Sequence, residues 1–327
     1  MITRHFAAAA VLAAAAGLTA AGPVRADTEL KALSSMATNL IYTQAYRQLF
    51  IDPANKAVDG IRINYVGGPE VTPASKAAEA IKRNVVDVLY GPAAYYAGLV
   101  PEALAVAGAS VNALEARRNG GIDALNAIWA KRNDARILAW GISETRYNLY
   151  LTAPPKITSD MVTFEGVKIR SSPLYKHLLE AVHATPIAIA APEFYTAMER
   201  GLVQGSGWPS VGLAGTGVAK FMKYRLDPPF YRANHMIIMN LNKWKALTAQ
   251  QRAALQKVAL DYEKQSIDFV GRTARAEEDT LKKGGMKIIA LSGKAREYYE
   301  TRGNDNLWKI VEKRSPSAAM LRRLLNP

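Results

Sequence analysis

Cysteine is absent from the 327 residues. That excludes a disulfide scaffold, a thiol nucleophile and zinc–thiolate centres together. Histidine is scarce: beyond His5 there are only His177, His183 and His235. No H-E-x-x-H or G-x-S-x-G pattern occurs, so the common zinc-hydrolase and nucleophile-elbow signatures are missing. His177 and His183 are six apart on one predicted helix and do not share a face; Glu180 and His183, at i and i+3, fit a surface contact. The turn Gly67-Gly68-Pro69 after a predicted strand matches neither G-x-G-x-x-G nor G-x-x-x-x-G-K-[ST], so nucleotide binding has no motif behind it. Acidic charge is in the minority, with 28 Asp and Glu against 42 Lys and Arg and a formal net charge of +14. The basic residues are scattered apart from short runs such as Lys282-Lys283 and Arg322-Arg323. That pattern suits solvated faces and the steering of small anions better than a nucleic-acid surface.

What is present begins with an exported leader. Arg4 supplies a positive start, Phe6 to Ala21 is an Ala/Val/Leu/Gly run with one Thr, and Val24-Arg25-Ala26 ends in a small-residue cleavage pattern. Residues 1–26 read as a signal peptide cut after Ala26, and no later run is comparably long and apolar. Removing it leaves 301 residues and, with Arg4 and Arg25 gone, a charge of +12. Such a length suffices for two lobes, and export without disulfides fits the bacterial periplasm.

The first half alternates strand and helix, which argues for a parallel α/β sheet. Strands are expected at Leu30–Ser34, Ile61–Val66, Val85–Tyr90 and Ala135–Gly141, with helices at Thr38–Asn55 and Pro73–Asn84. The segment Ile142–Leu151 crosses into a second lobe, and Phe230–Leu241 gives a strand that returns to the first. Thr248 and Gln251 form a capping-box start. From there Leu255, Val258, Tyr262, Phe269 and Val270 carry an apolar stripe to Gly284-Gly285. This reads as one helix of roughly 36 residues and about 54 Å, or as two helices broken near Ser266 or Gly271. No heptad persists for three repeats, which argues against a coiled coil.

The stretch Thr163–Ser210 organises the second lobe. Val167–Ile169 is a short strand signal closed by Ser171, Ser172 and Pro173, which puts Arg170 at a strand's C-terminal end, where open α/β sheets place ligands. Leu174, Leu178 and Val182 recur at helical spacing. Pro186–Ala190 is a second apolar run. A helix begins near Pro192-Glu193 with Phe194, Met198 and Leu202 as its buried stripe. Gly205, Gly207 and Pro209 around Trp208 read as a bend holding a large ring. Arg170 is either a surface residue in a salt bridge or a guanidinium fork receiving a carboxylate.

These residues resemble the periplasmic solute-binding proteins of TRAP (tripartite ATP-independent periplasmic) transporters, the DctP-type family. Gly166, Lys168, Ile169 and Arg170 match its G-x-K-[IL]-R strand, and Glu193, Tyr195 and Ala197 its Glu-x-Tyr-x-Ala helix start. Gly201, Val203 and Gly205 match its G-x-V-D-G turn, with Gln204 in place of Asp. "GGPE", VVDVLYGPAAYY and the following L-x-P-E resemble its first lobe, so the likeness covers most of the mature chain. The resemblance implies an α/β, two-lobed periplasmic binding protein fold with a cleft between the lobes and a long helix spanning both. It implies residues 27–145 with about 234–265 as lobe I, and about 146–233 with 266–327 as lobe II. It also implies capture of an organic acid by cleft closure, with the carboxylate paired to Arg170, and delivery to the membrane subunits of a TRAP permease. The binding protein itself would not span the membrane.

Gly207-Trp208 stands where sialic-acid binders have Glu-Asn and metal-using members have Glu-Trp. Losing the Glu removes a ligand that a hard cation needs, so neither metal nor cofactor is expected. Trp208 would supply a flat wall or one donor. Tyr95 and Tyr96 are either interlobe packing or a cleft wall. Arg146, on the crossing segment, is a candidate because a second arginine near this point helps bind acids in some members of the family. Asn234 and His235 are candidates to face the cleft. Binding without chemistry fits these residues better than its alternative, an exported hydrolase or lyase acting on a small anionic substrate.

Overall fold

The computed structural model describes residues 28–327, so the expected leader and its cleavage after Ala26 lie outside the described residues. Its strands in chain order are β1 (Thr28–Ser34), β2 (Ile61–Gly67), β3 (Val88–Pro92), β4 (Ala135–Gly141), β5 (Tyr147–Leu151), β6 (Lys156–Ile157) and β7 (Val162–Thr163). Then come β8 (Lys168–Ser171), β9 (Thr185–Ala188), β10 (Gly205–Pro209), β11 (Tyr224–Asp227), β12 (His235–Asn240) and β13 (Lys287–Ala290). They form a five-stranded sheet in the order β2-β1-β3-β12-β4 and a six-stranded sheet in the order β13-β11-β5-β10-β8-β9, with β6 and β7 as a separate ribbon. In the first sheet β1 runs parallel to β2 and β3 while β12 is antiparallel to both neighbours. In the second, β8 runs parallel to β9 and β10.

The chain passes between the sheets three times, after β4, before β12 and, through the long helix, before β13, and the first two passages bond to each other. Tyr147 N donates to Tyr231 O at 2.9 Å, Phe230 N to Tyr147 O at 2.8 Å, and Ala233 N to Thr145 O at 2.7 Å. Paired crossing segments leave the sheets a narrow joint.

The long helix is continuous over Ala249–Lys283, 35 residues and about 52 Å. Thr248 and Gln251 cap it reciprocally, at 3.1 and 3.0 Å. Two buried acids tie it to both sheets' surroundings. Glu263 accepts from Arg117 at 2.7 and 2.9 Å and from Trp140 N at 2.7 Å. Glu277 accepts from Gly212 N at 2.6 Å and Ala214 N at 2.9 Å.

Four expectations need correction. The helix expected over Thr38–Asn55 is two short helices, Ile41–Tyr46 and Asp52–Ala57, joined by a π turn at Arg47–Ile51. Pro53 lacks an N–H and suits a first turn rather than a helix interior. Residues 205–209 are not a bend but the buried strand β10. A Cβ on Gly207 would stand 2.8 Å from the Tyr175 ring, so this glycine serves close packing rather than a turn. Leu202 is 54% exposed, because the helix stops at Glu199 and Gly201 turns the chain with φ +65°. Finally, the C-terminal helix Ala318–Leu325, expected in lobe II with the rest of 266–327, packs on helix Gly121–Asn133 and the turn Pro101–Val106 of the first lobe. Its apolar residues Leu321 and Leu325 are fully buried there.

His235 opens β12 inside the first lobe, with Tyr42 and Tyr90 rings edge-on at 5.0 and 5.6 Å and Nδ1 3.1 Å from the Tyr90 hydroxyl. Burial pushes its pKa down to about 3. Below the ordinary value of about 6.5 the unfolded chain takes up a proton that the folded chain refuses, so stability falls as pH falls from there toward 3. By pH 4.5 this amounts to about 2.7 kcal/mol, or roughly 5 °C in Tm for a chain of this size. The acid limb of a Tm-against-pH curve is therefore expected to be flatter in His235→Gln by about that amount, and two parallel curves would contradict it.

Candidate functional site

Arg170 is the third residue of β8 and lies opposite Ser206 of β10. Its side chain turns inward and is 3% exposed. Nε donates to Ile189 O at 2.9 Å and Nη1 to the Tyr175 hydroxyl at 2.8 Å. Tyr175 in turn donates to Gly207 O at 2.9 Å, so its lone pairs are left to face the guanidinium. The guanidinium carbon also sits 5.6 Å from the Phe194 ring centre and 5.8 Å from that of Trp208. Those two rings stack on each other at 5.8 Å and 23°, within the range at which ring faces attract a cation.

None of these partners is negatively charged, and among the described residues no ion pair includes Arg170. A guanidinium carries five N–H donors. Two are committed here, to Ile189 O and the Tyr175 hydroxyl, and the Tyr95 hydroxyl is a further protein oxygen beside them. Burial works against the charge on Arg170, but the oxygens of Tyr175, Tyr95 and Tyr147 outweigh it and leave the pKa above its ordinary value. Burial likewise pushes the Tyr95 hydroxyl up, partly offset by Arg170 beside it.

In front of the guanidinium lies an inner pocket of about 30 Å³ between Tyr95 and Met36 of the first lobe and Tyr147, Tyr175, Gly207 and Trp208 of the second. At ~10–15 Å³ per water-sized group it holds about two such groups. It adjoins an outer cleft of about 670 Å³, which Arg170 and Tyr95 also line. The walls come from the loops after β2 and β3 and from the C-terminal ends of β8 and β9, the position where α/β sheets hold ligands. Among the described residues no group of three or more His, Cys, Asp or Glu is arranged to hold a metal ion.

The structure thus brings Arg170, Trp208, Gly207 and Tyr95 together. It does not bring the other candidates there. Tyr96 is fully buried in the first lobe; adjacent residues of a tight turn cannot both face the cleft, and Tyr95 does. Asn234 and His235 are fully buried in the first lobe, since β12 lies between β3 and β4. Arg146 lines a separate pocket with Phe230, Tyr231 and Asn304 beside the crossing segments. Its pKa is lowered by burial and by neighbouring Arg232. Glu180 contacts His177, at 3.0 Å, rather than His183. Sequence reasoning missed Tyr175 and Tyr147, whose only signal is an aromatic five residues after Arg170 and another beside Arg146.

The model of bacterial extracellular solute-binding proteins, family 7 (DctP), matches residues 41–314, and the chain belongs to that family. A 159-residue stretch is 21% identical to an uncharacterized protein of Haemophilus influenzae, taking 48% of this chain and 47% of that protein. The chain therefore spans about half the length of the curated relative it matches. Three solved structures align along nearly the whole chain. An extracytoplasmic solute receptor of Bordetella pertussis binding pyroglutamic acid has TM-score 0.76 at 16% identity, covering 92% of this chain and 100% of that one. A TRAP periplasmic solute-binding protein of Desulfovibrio desulfuricans with bound sn-glycerol-3-phosphate has TM-score 0.80 at 15% identity, covering 91% and 96%. A TRAP transporter solute-binding protein of Bordetella bronchiseptica with calcium and picolinate has TM-score 0.80 at 16% identity, covering 92% of each. At such identities they establish the two-lobed fold.

Gly207→Ala is expected to lower Tm by roughly 2–6 °C, since overpacking a core costs ~1–3 kcal/mol. In a Tyr175→Ser background, where the ring is gone, the added penalty should shrink. Differential scanning calorimetry of the four chains checks both statements, and a penalty unchanged by Tyr175→Ser would refute the packing account.

Proposed function

We propose that this chain is the periplasmic solute-binding component of a TRAP-type transporter and captures an organic acid through its carboxylate. One observation carries the reading: a buried, charged arginine whose partners are all neutral and whose remaining N–H groups face a pocket sized for two oxygens. A buried cation gains most when an anion meets it bidentately and the other donors are satisfied. The ligands named for the similar structures, pyroglutamic acid, picolinate and glycerol phosphate, are anions as well.

In this reading residues 27–145 with about 234–265 form one lobe, and about 146–233 with most of 266–327 the other. The lobes close over the acid about the paired crossing segments, and the closed form hands it to the permease subunits in the membrane. Trp208 and Phe194 back the guanidinium, while Tyr95 reaches it from the opposite lobe. The absence of any carboxylate from the cleft lining supports binding without metal and argues against a hydrolase or lyase, which needs an acid or base beside the bound anion. His177 is the only histidine there.

Arg170→Ala is expected to weaken binding by roughly 30- to 4000-fold, the loss of a buried charge pair at ~2–5 kcal/mol. Arg170→Lys should recover part of it. The ligand is first found by a thermal-melt screen of carboxylic acids, sugars, amino acids and nucleotides with and without chelator, and its affinity then measured by calorimetry. Near wild-type affinity in the alanine variant, or a shift abolished by chelator, would refute the assignment.

A further inference from the structure

The outer cleft says what the rest of the ligand is. It is about 670 Å³, several times the ~150 Å³ of a cavity that takes benzene and within the range of sites that enclose drug-sized molecules. Most of its wall is apolar, with Pro73 and Leu104 from the first lobe, Ile189 and Pro192 from the second, and Ile310 from helix Gly293–Arg314. No Asp, Glu, Asn or Gln lines it. Of its four serines two are already engaged, Ser171 Oγ donating to Ser172 O and Ser172 Oγ accepting from Leu174 N, and Ser35 Oγ is a single buried hydroxyl without a partner, too few groups for a polyol. A sugar acid or a ring amide placed here would leave several polar groups without partners, each at a cost comparable to a lost hydrogen bond.

Three cationic or titratable side chains stand at the rim. Lys176 and His177 are 54% and 44% exposed at the side chain and both contact Glu180, at 3.5 and 3.0 Å. Arg314 is exposed and donates to Ala97 O at 2.9 Å. Charges so well hydrated add little for a second carboxylate. The one desolvated cation of the cleft is Arg170.

We infer that the ligand is an amphipathic monocarboxylate, its carboxylate in the inner pocket on Arg170 and a hydrocarbon body along the outer cleft against Leu104, Ile189, Pro192 and Ile310. This deepens the carboxylate reading and rests on it. The body subsite draws on both lobes and on helix Gly293–Arg314, so a longer apolar chain would also bridge the lobes.

The test is calorimetry on the mature chain with butanoate, hexanoate, octanoate, octanedioate and glucuronate, repeated on Arg170→Ala and Ile310→Ser. Affinity is expected to rise roughly two- to fourfold per added methylene, up to the increment of ~0.8 kcal/mol per buried CH₂. Octanedioate should bind more weakly than octanoate, and glucuronate more weakly than hexanoate. Ile310→Ser should cut the ratio of octanoate to butanoate affinity several-fold. Affinity independent of chain length, or glucuronate or octanedioate binding tightest, overturns the hydrocarbon body while leaving the carboxylate reading intact if Arg170→Ala still abolishes binding. Binding undiminished in Arg170→Ala overturns the reading beneath it and this inference with it.

Discussion

A guanidinium held out of water by neutral groups is the constraint on which the site depends. Burying a cation costs several kcal/mol after relaxation, and here carbonyl and phenol oxygens and two ring faces offset that cost without supplying a counter-charge. The surrounding sequence serves this arrangement. The register of β8 against β10 sets Arg170 beside Ser206. The missing Cβ at Gly207 lets the Tyr175 ring close in, and Tyr175 needs Gly207 O as its acceptor so that its own lone pairs face the arginine. Altering any of these exposes the charge to water or leaves a donor idle.

The two sheets divide the labour unequally. The second supplies the charge and its support from β8, β10 and the turn after β8, all rigidly hydrogen-bonded. The first contributes Tyr95 and Met36 from loops, which suits a wall that approaches and withdraws. Because the crossing segments bond to each other, the closure proposed above would take place as rotation about a paired ribbon rather than as free motion on two tethers.

Much of the frame was legible in the sequence. The β4 strand and the long helix with its capping box appear as read, because period, caps and glycine stops agree there. Arg170 was legible through its motif and its place near a strand's end. The companions were harder. Tyr175 reaches the guanidinium through a turn, and no local pattern tells which way a turn points a ring. Ile310 arrives from a helix 140 residues away. Asn234 and His235 were read as facing the cleft because they precede the returning strand, whereas β12 enters the middle of its sheet; Arg146, a candidate through the family resemblance, lines a separate pocket beside the crossing segments. Gly205 and Gly207 looked like turn residues because a glycine needed for close packing leaves the same trace in sequence as one needed for a turn.

The long helix is fastened to one lobe through Glu263 and to the other through Glu277, anchor points 14 residues and about 21 Å apart. Any rotation of the lobes must be taken up by the rod between the anchors. In the proposed closure the helix would act as a flexure, its bending stiffness opposing rotation of the lobes and favouring one aperture of the mouth. Substitutions on the back of the molecule, far from any solute, would retune how readily the front opens.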